Sequence, residues 1–163
     1  MKAVCAFFSI LMILQAQAQD NILGRYKDYF GSDITLNADS TFAYSYHFDM
    51  AGTWTVGTYK VVNDTIYLTE VPIYDTLQFV NKLKQPIDSL ILSDDKKPDR
   101  ITMDDFINKP FLSSAQDRMS HPLLLVWRKN RLYTLDRHGR LNARKMKAIS
   151  NGKKYVPWYL KEG

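Results

Sequence analysis

Residues 41–48 carry the clearest hydrophobic pattern in the chain. Four aromatic residues alternate there with small or polar ones, and they are Phe42, Tyr44, Tyr46 and Phe48. Because successive side chains of a β-strand point to opposite faces, this spacing predicts a strand with four rings on one face. The small or polar residues between them are typical of the solvent face of a half-buried antiparallel sheet.

The flanking segments extend this strand into a β-meander. Turn-forming residues at 37–40 separate it from a predicted partner strand at 33–36. A second turn signal at 63–64 leads into another strand over 65–69, in which alternate residues are apolar. Consecutive short strands joined by tight turns predict antiparallel pairing.

The strand between these turns breaks its own alternation. Trp54 and Val56 share one face, whereas Tyr59 and Val61 share the opposite one, and Gly57 lies between the two pairs. A β-bulge or bend at Gly57 would explain the slip, because an extra residue returns the alternation to a single face.

The remainder of the chain is also rich in strand signals. Further strands are predicted at 75–80, 89–92, 123–127, 131–135, 140–149 and 154–160. Between them, residues 94–121 are charged and contain two short helical signatures, Met103–Asn108 and Ser114–Asp117, the second starting like a capping box. A connection this long often serves as a lid or binding loop. Nine or ten short strands in all predict an all-β sandwich or closed barrel.

The first eighteen residues have the composition of a signal peptide. Lys2 is followed by an apolar run over 3–14 and a small-x-small pattern, Ala-Gln-Ala, that ends at residue 18. The run is shorter than the roughly 20 apolar residues that a membrane span requires. We therefore expect export to the periplasm or beyond, cleavage after Ala18, and one β-rich domain over 19–163.

Cysteine usage limits the chemistry of the exported chain. Cys5 is the only cysteine and lies inside the predicted leader, where it is not placed to carry a lipid anchor. The exported chain would then have no disulfide, so its stability depends on its hydrophobic core.

Charge is divided unequally between the two parts of the exported chain. Residues 19–117 contain 9 basic and 15 acidic residues, and residues 118–163 contain 12 basic and 2 acidic ones. Either the two parts neutralise each other, or the basic C-terminal hairpins bind an anionic glycan, lipid head group or acidic protein. The candidate residues for the second interpretation are Arg128, Lys129, Arg131, Arg137 and Arg140. An exported protein rarely meets nucleic acid, so none is expected as a partner.

Sequence motifs of common catalytic sites are missing from the chain. There is no G-x-S-x-G or S-x-x-K motif, and the glycines are spread singly, so no phosphate-binding loop is predicted. His47, His121 and His138 lack the spacing of metal ligands. His121 precedes Pro122 and is expected to enter the following strand in an extended conformation. No catalytic residue, cofactor or metal is predicted.

Four short motifs together resemble a known group of proteins. They are Gly24-Arg25-Tyr26, Leu36-x-x-Asp39-Ser40-x-Phe42, Gly52-Thr53-Trp54 and Ile66-x-Leu68. Over residues 22–70 the chain is similar to small exported lipocalin-like (calycin-type) β-barrel proteins of Bacteroidetes-like bacteria. It is more distantly similar to copper-resistance lipoproteins, but it lacks their lipobox cysteine and CxxC pair, so no copper role is implied. The resemblance implies a lipocalin-like barrel or half-barrel, and the helical signatures noted above add one or two short helices around 103–119.

The same resemblance implies a ligand site in the mouth of the barrel. The candidate residues are Tyr44, Tyr46, Trp54 and Tyr59, covered by residues 94–121, and the ligand is small and apolar or amphipathic. Together with the predicted leader, the alternating strands and the missing catalytic motifs, this favours an exported, non-catalytic binding module. The alternative is that the same rings fill a dry core, where each buried ring contributes about 1.5–3 kcal/mol to folding.

Overall fold

The computed structural model describes residues 21–48, 51–108, 114–116, 121–148 and 151–163. The predicted leader, residues 1–18, lies outside the described residues. The described strands are β1 Gly24–Lys27, β2 Ser32–Leu36, β3 Thr41–Phe48, β4 Ala51–Val62, β5 Thr65–Glu70, β6 Tyr74–Val80, β7 Pro86–Leu92, β8 Arg100–Thr102, β9 Ser114–Gln116, β10 Leu124–Arg128, β11 Arg131–Tyr133, β12 Met146–Lys147, β13 Lys154–Tyr155 and β14 Tyr159–Lys161. One helix, α1, spans Met103–Asn108.

Eight of these strands form a closed antiparallel barrel. In order around the barrel they are β1, β2, β3, β4, β5, β10, β11 and β14, and β14 pairs again with β1. Each barrel strand lies beside the next one in the chain, so the predicted meander is confirmed, and it closes fully instead of stopping at a half-barrel. Closure removes the exposed edges that an open sheet of this size would have.

The rings of Phe42, Tyr44 and Tyr46 on β3 face the lumen, as the alternation predicts. They belong to one continuous hydrophobic cluster, whose buried members are Ile22, Tyr26, Ile34, Leu36, Phe42, Tyr44, Tyr59, Ile66, Leu68, Leu125, Leu132 and Tyr159. The lumen is therefore a packed core over much of its length, which is how small eight-stranded barrels are filled.

The predicted bulge at Gly57 is wrong. Residue-by-residue pairing runs without interruption from β3 through β4 to β5. Consequently Tyr59 faces the lumen, whereas Trp54 faces the outside of the barrel. Gly57 has a different reason to be glycine: a Cβ at this position would lie 2.8 Å from the Phe42 ring and 2.1 Å from the Thr69 carbonyl oxygen. The ring of Phe42 occupies the space in front of Gly57.

A long insertion between β5 and β10 covers the outer face of β4. It contains a three-stranded sheet, ordered β7-β6-β8, followed by α1 and by β9, which pairs in parallel with β4. The Trp54 indole Nε1 donates to the Asp94 carbonyl oxygen at 3.0 Å. The Gln116 side-chain amide donates to the Val71 carbonyl oxygen at 3.1 Å and accepts from the Ile73 amide at 2.9 Å. The Trp54 bond and the β9–β4 pairing attach the insertion to the barrel wall, and the Gln116 bonds join β9 to the start of the insertion.

The first predicted helix is confirmed, but the second is wrong. At the start of α1, the Thr102 hydroxyl accepts a hydrogen bond from the Asp105 amide at 3.1 Å. The Asp105 carboxylate accepts one from the Thr102 amide, also at 3.1 Å, and the two bonds form a capping box. Ser114–Gln116 forms β9 instead, because its backbone pairs with the edge of β4. Asp117 lies outside the described residues.

The two ends of the barrel are built differently. At one end, here called the closed end, tight turns join β2 to β3, β4 to β5 and β10 to β11. Lys129 and Asn130 both have positive φ, which confirms the predicted two-residue hairpin turn. At the other end, here called the mouth, the long connections 71–123 and 134–158 leave the barrel. The second of these contains the β12–β13 hairpin, shorter than the strand predicted over 140–149.

Candidate ligand site at the barrel mouth

A cavity of about 610 Å³ opens at the mouth of the barrel. Its described lining residues are Ser32, Tyr44, Pro122, Leu123, Leu124, Thr134, Leu135, Asp136, Gly139 and Tyr159. They come from barrel strands and from both long connections, so the cavity exists only where these segments meet. Its lining combines apolar side chains with hydroxyl groups and, at the rim, the Asp136 carboxylate.

The hydroxyl groups lie at the junction of the cavity and the core. The Tyr44 hydroxyl lies 3.4 Å from Ser32 Oγ, and Tyr44 is 4% exposed. Burial, followed by the effects of Tyr44 and Asp28, raises the pKa of Tyr159 above its usual value. Tyr159 is therefore a neutral hydroxyl at ordinary pH, suited to hydrogen bonding with an uncharged group.

Two carboxylates flank this region in different states of solvation. Asp28 Oδ1 accepts from the Phe30 and Ser32 amides, each at 2.8 Å, while burial raises the pKa of the Asp28 carboxyl. Asp136 lies on the exposed rim, where hydrogen bonding from the Arg140 amide lowers the pKa of its carboxyl. Asp136 Oδ2 also lies 3.0 Å from an Arg140 guanidinium nitrogen. The rim therefore carries a charge pair, and the interior carries hydroxyls.

The four predicted ligand residues are not gathered in one place. Tyr44 lines the cavity, and Tyr46 lies half-buried further along the same face of β3. Tyr59 lies near the closed end, where its hydroxyl donates to the Asn37 carbonyl oxygen at 2.7 Å. Trp54 lies outside the lumen, 5% exposed beneath the insertion. Of the four, Tyr44 alone borders the cavity.

Within the predicted cover, residues 94–121, β9 pairs with β4 of the barrel, and the Asp94 carbonyl oxygen accepts from Trp54 on the outer face of β4. Its described part includes α1 and β9, and no described residue of 94–116 lines the mouth cavity. Residues 109–113 and 117–120 of the predicted cover lie outside the described residues. The apolar wall of the cavity comes instead from Pro122, Leu123 and Leu124, at the start of β10.

Sequence reasoning assigned no role to His121, which lies inside the barrel next to the mouth. It is 4% exposed, and neither ring nitrogen has a hydrogen-bond partner within the described part of the chain. Its Nε2 lies 3.9 Å from Glu70 Oε2, and its ring centroid lies 6.2 Å from that of Phe42 and 6.4 Å from that of Tyr44. The sequence signal at this position is the His-Pro step, which favours an extended backbone at His121 just before β10.

The five predicted anion-binding residues are split between the two ends of the barrel. Arg128, Lys129 and Arg131 belong to the closed-end hairpin, whereas Arg137 and Arg140 lie in the loop beside the mouth. Arg140 is paired with Asp136, and Arg131 lies over the Trp158 ring at 5.3 Å. They do not form one continuous surface.

The described ion pairs do not neutralise the basic C-terminal part with the acidic part. They are Arg25–Asp33, Arg25–Glu162, Lys27–Glu162, Arg100–Asp88, Arg140–Asp136 and the His121–Glu70 contact. In this set, His121 is the one basic residue of 118–163 that meets an acidic residue of 19–117. Among the described ion pairs, therefore, no Lys or Arg of 118–163 meets an acidic residue of 19–117.

Metal and membrane features were sought in the same described ranges. No group of three or more His, Cys, Asp and Glu side chains is placed to hold a metal ion there. The helical part of these ranges also contains nothing long and apolar enough to cross a bilayer.

The chain matches no known family model. Comparison with curated proteins and with solved structures also finds no match. The lipocalin-like resemblance stays a prediction, and any function has to be argued from the site itself.

Proposed function

We propose that the protein is an exported, non-catalytic binding module that holds a small amphipathic ligand in the mouth of its barrel. The observation that carries this proposal is the mouth cavity, which has apolar side chains on one wall and buried hydroxyls on another. The predicted leader supports export. The proposal does not depend on membership of the lipocalin-like group.

The size of the cavity supports a ligand of modest dimensions. Its volume of about 610 Å³ falls within the range of about 300–1,000 Å³ common for small-molecule sites. The core below it is filled by Phe42, Tyr59 and their neighbours, so the ligand does not enter the full depth of the lumen. A ligand seated at the mouth keeps part of its surface in solvent.

The distribution of side chains indicates how the ligand lies. An apolar part packs against Leu123, Leu124 and Leu135, where removal of apolar surface from water provides the driving force. An uncharged polar group bonds with Ser32 or Tyr159, whose hydroxyls both donate and accept. Medium-chain alcohols have this combination of properties.

A substitution on the exposed apolar wall tests the proposal without disturbing the core. Leu123 lines the cavity and is 70% exposed, whereas Leu83, in the turn between β6 and β7, is 77% exposed and remote from it. A carboxylate in the apolar wall would have to be desolvated by the ligand, so Leu123→Asp should weaken binding by about tenfold or more. Leu83→Asp is the matched control and should bind like the wild type.

The measurement is fluorescence titration with the neutral probe N-phenyl-1-naphthylamine, followed by displacement with 1-decanol. Binding should change little between low and high salt, because the contacts are apolar and uncharged. Absence of probe binding to the wild type, or equal binding by the Leu123→Asp variant, would contradict the proposal.

A further inference from the structure

The β12–β13 hairpin places two lysines directly opposite each other. Lys147 pairs with Lys154, and Met146 pairs with Tyr155. The hairpin is held by bonds from the Ala148 amide to the Lys153 carbonyl oxygen at 2.8 Å, and from the Gly152 amide to the Ala148 carbonyl oxygen at 3.0 Å. Like charges opposite each other destabilise a strand pair, so this arrangement is unfavourable for the isolated hairpin.

Surrounding residues intensify the positive charge. Arg144, Lys145 and Lys153 flank the lysine pair, and all five cationic residues are exposed. The sequence has no Asp or Glu from residue 137 to residue 161. None of the five takes part in an ion pair with another described residue. The hairpin therefore presents charge that its described neighbours do not balance.

The two faces of the hairpin have different environments. Residues paired across strands share a face, so Met146 and Tyr155 lie on one face and the Lys147–Lys154 pair lies on the other. The Tyr155 ring stacks on Tyr29 of the β1–β2 loop, with ring planes 8° apart. This contact attaches the first face to the barrel and leaves the lysine face turned to solvent.

We propose that the lysine face, defined by Lys147 and Lys154 with Arg144, Lys145 and Lys153 beside them, binds an acidic glycan. An anionic polymer supplies the negative charge that the described neighbours lack, and it relieves the repulsion between the paired lysines. This surface is distinct from the mouth cavity, and the proposal does not rest on ligand binding there.

The chemistry of the face favours a hydrophilic polymer over a bilayer. Membrane-surface elements combine basic residues with apolar side chains that enter the acyl boundary. Here Lys147 and Lys154 carry the face, and the ring on the opposite face is engaged with Tyr29.

The residue types also disfavour a folded acidic protein as the partner. Protein interfaces are enriched in arginine and aromatic residues and depleted in lysine. Four of the five cations here are lysines, which are flexible, strongly hydrated point charges. Such groups suit the repeated carboxylates or sulfates of a flexible glycan chain.

The test compares two variants of equal charge. Lys147→Glu/Lys154→Glu reverses the lysine face, and Lys82→Glu/Lys96→Glu makes the same net change at exposed positions of the insertion. Affinity for heparin and for polygalacturonate, measured by titration calorimetry at several salt concentrations, should fall about tenfold or more in the first variant, because each lost ionic contact also removes counterion release. The affinity of the control variant should stay within about twofold of the wild-type value. Its binding should also keep the salt dependence of the wild type, which is steeper than that of the Lys147→Glu/Lys154→Glu variant.

Three results would overturn the proposal. The first is an equal loss in both variants, which indicates net charge alone, and the second is no binding of either glycan by the wild type. The third is tighter binding to polyglutamate, or to vesicles containing phosphatidylserine, than to both glycans. A Lys147→Gln/Lys154→Gln variant should bind weakly and still unfold at the wild-type temperature or above, which separates loss of the surface from loss of the fold.

Discussion

The two ends of the barrel use the same residue type for different purposes. At the closed end, the Tyr26 hydroxyl donates to the Ile22 carbonyl oxygen at 2.8 Å, and the Tyr59 hydroxyl donates to the Asn37 carbonyl oxygen at 2.7 Å. At the mouth, Tyr44 and Tyr159 border an open cavity beside Ser32. A buried tyrosine whose hydroxyl bonds to backbone stabilises the fold, whereas one at a cavity wall is positioned to bond with a ligand. Tyrosine content alone does not distinguish the two roles.

The largest effect on stability is expected from removing a buried aromatic side chain at the closed end. Tyr26 is fully buried, so Tyr26→Ala should reduce the free energy of unfolding by about 3–5 kcal/mol, as for other large aromatic truncations. Urea denaturation followed by circular dichroism gives this value. Folded Tyr26→Ala protein should bind N-phenyl-1-naphthylamine with wild-type affinity, and a loss of affinity per folded molecule would show that the two ends are coupled.

An intermediate effect is expected at alkaline pH. Burial raises the pKa of Tyr26 from 10.0 to about 12. Because the folded state holds this proton more tightly than the unfolded chain, the associated stabilisation is fully present below pH 10 and is lost as the pH rises from 10 toward 12. Urea midpoints at pH 9, 10 and 11 should therefore decrease progressively. The Tyr26→Phe variant has no ionisable group at this position, so its urea midpoint should decrease less over the same pH range. An identical decrease in the midpoint would show that other tyrosines cause the effect.

The smallest effects should separate the two ends most directly. Tyr59→Phe removes the bond to Asn37 and should lower the free energy of unfolding by about 1 kcal/mol without changing probe affinity. Tyr159→Phe should weaken displacement by 1-decanol by roughly fivefold, the value of one hydrogen bond to the ligand. Equal ligand effects from both substitutions would remove the distinction between the two ends.

The fold was predictable from the sequence to the extent that it depends on local alternation. The period of two over 41–48 identified β3 and the lumen-facing rings of Phe42, Tyr44 and Tyr46 correctly, and the two-residue turn at 129–130 was also found. Alternation does not reveal which face of a strand looks into the lumen. At Trp54 that depended on the uninterrupted register across Gly57 and on an insertion whose contact with Trp54 comes from Asp94.

Less of the candidate site was predictable, because the site is made by segments distant in sequence. Tyr44 was identified, but Ser32, Leu135 and Tyr159 come from separate strands and loops that meet only after the barrel closes. The lysine face of the β12–β13 hairpin was not among the predicted anion-binding residues, for a similar reason. Cross-strand registration, which opposes Lys147 to Lys154, is a property of pairing and not of composition.

The tight turns of the closed end give the molecule a natural point of attachment. Asp64 lies exposed in the turn between β4 and β5, and residues 19–163 contain no cysteine. An Asp64→Cys variant of residues 19–163 would therefore carry one thiol at the end of the barrel opposite the mouth. A fluorophore or sensor surface coupled there would leave the cavity facing bulk solution, so every immobilised molecule would present it in the same orientation.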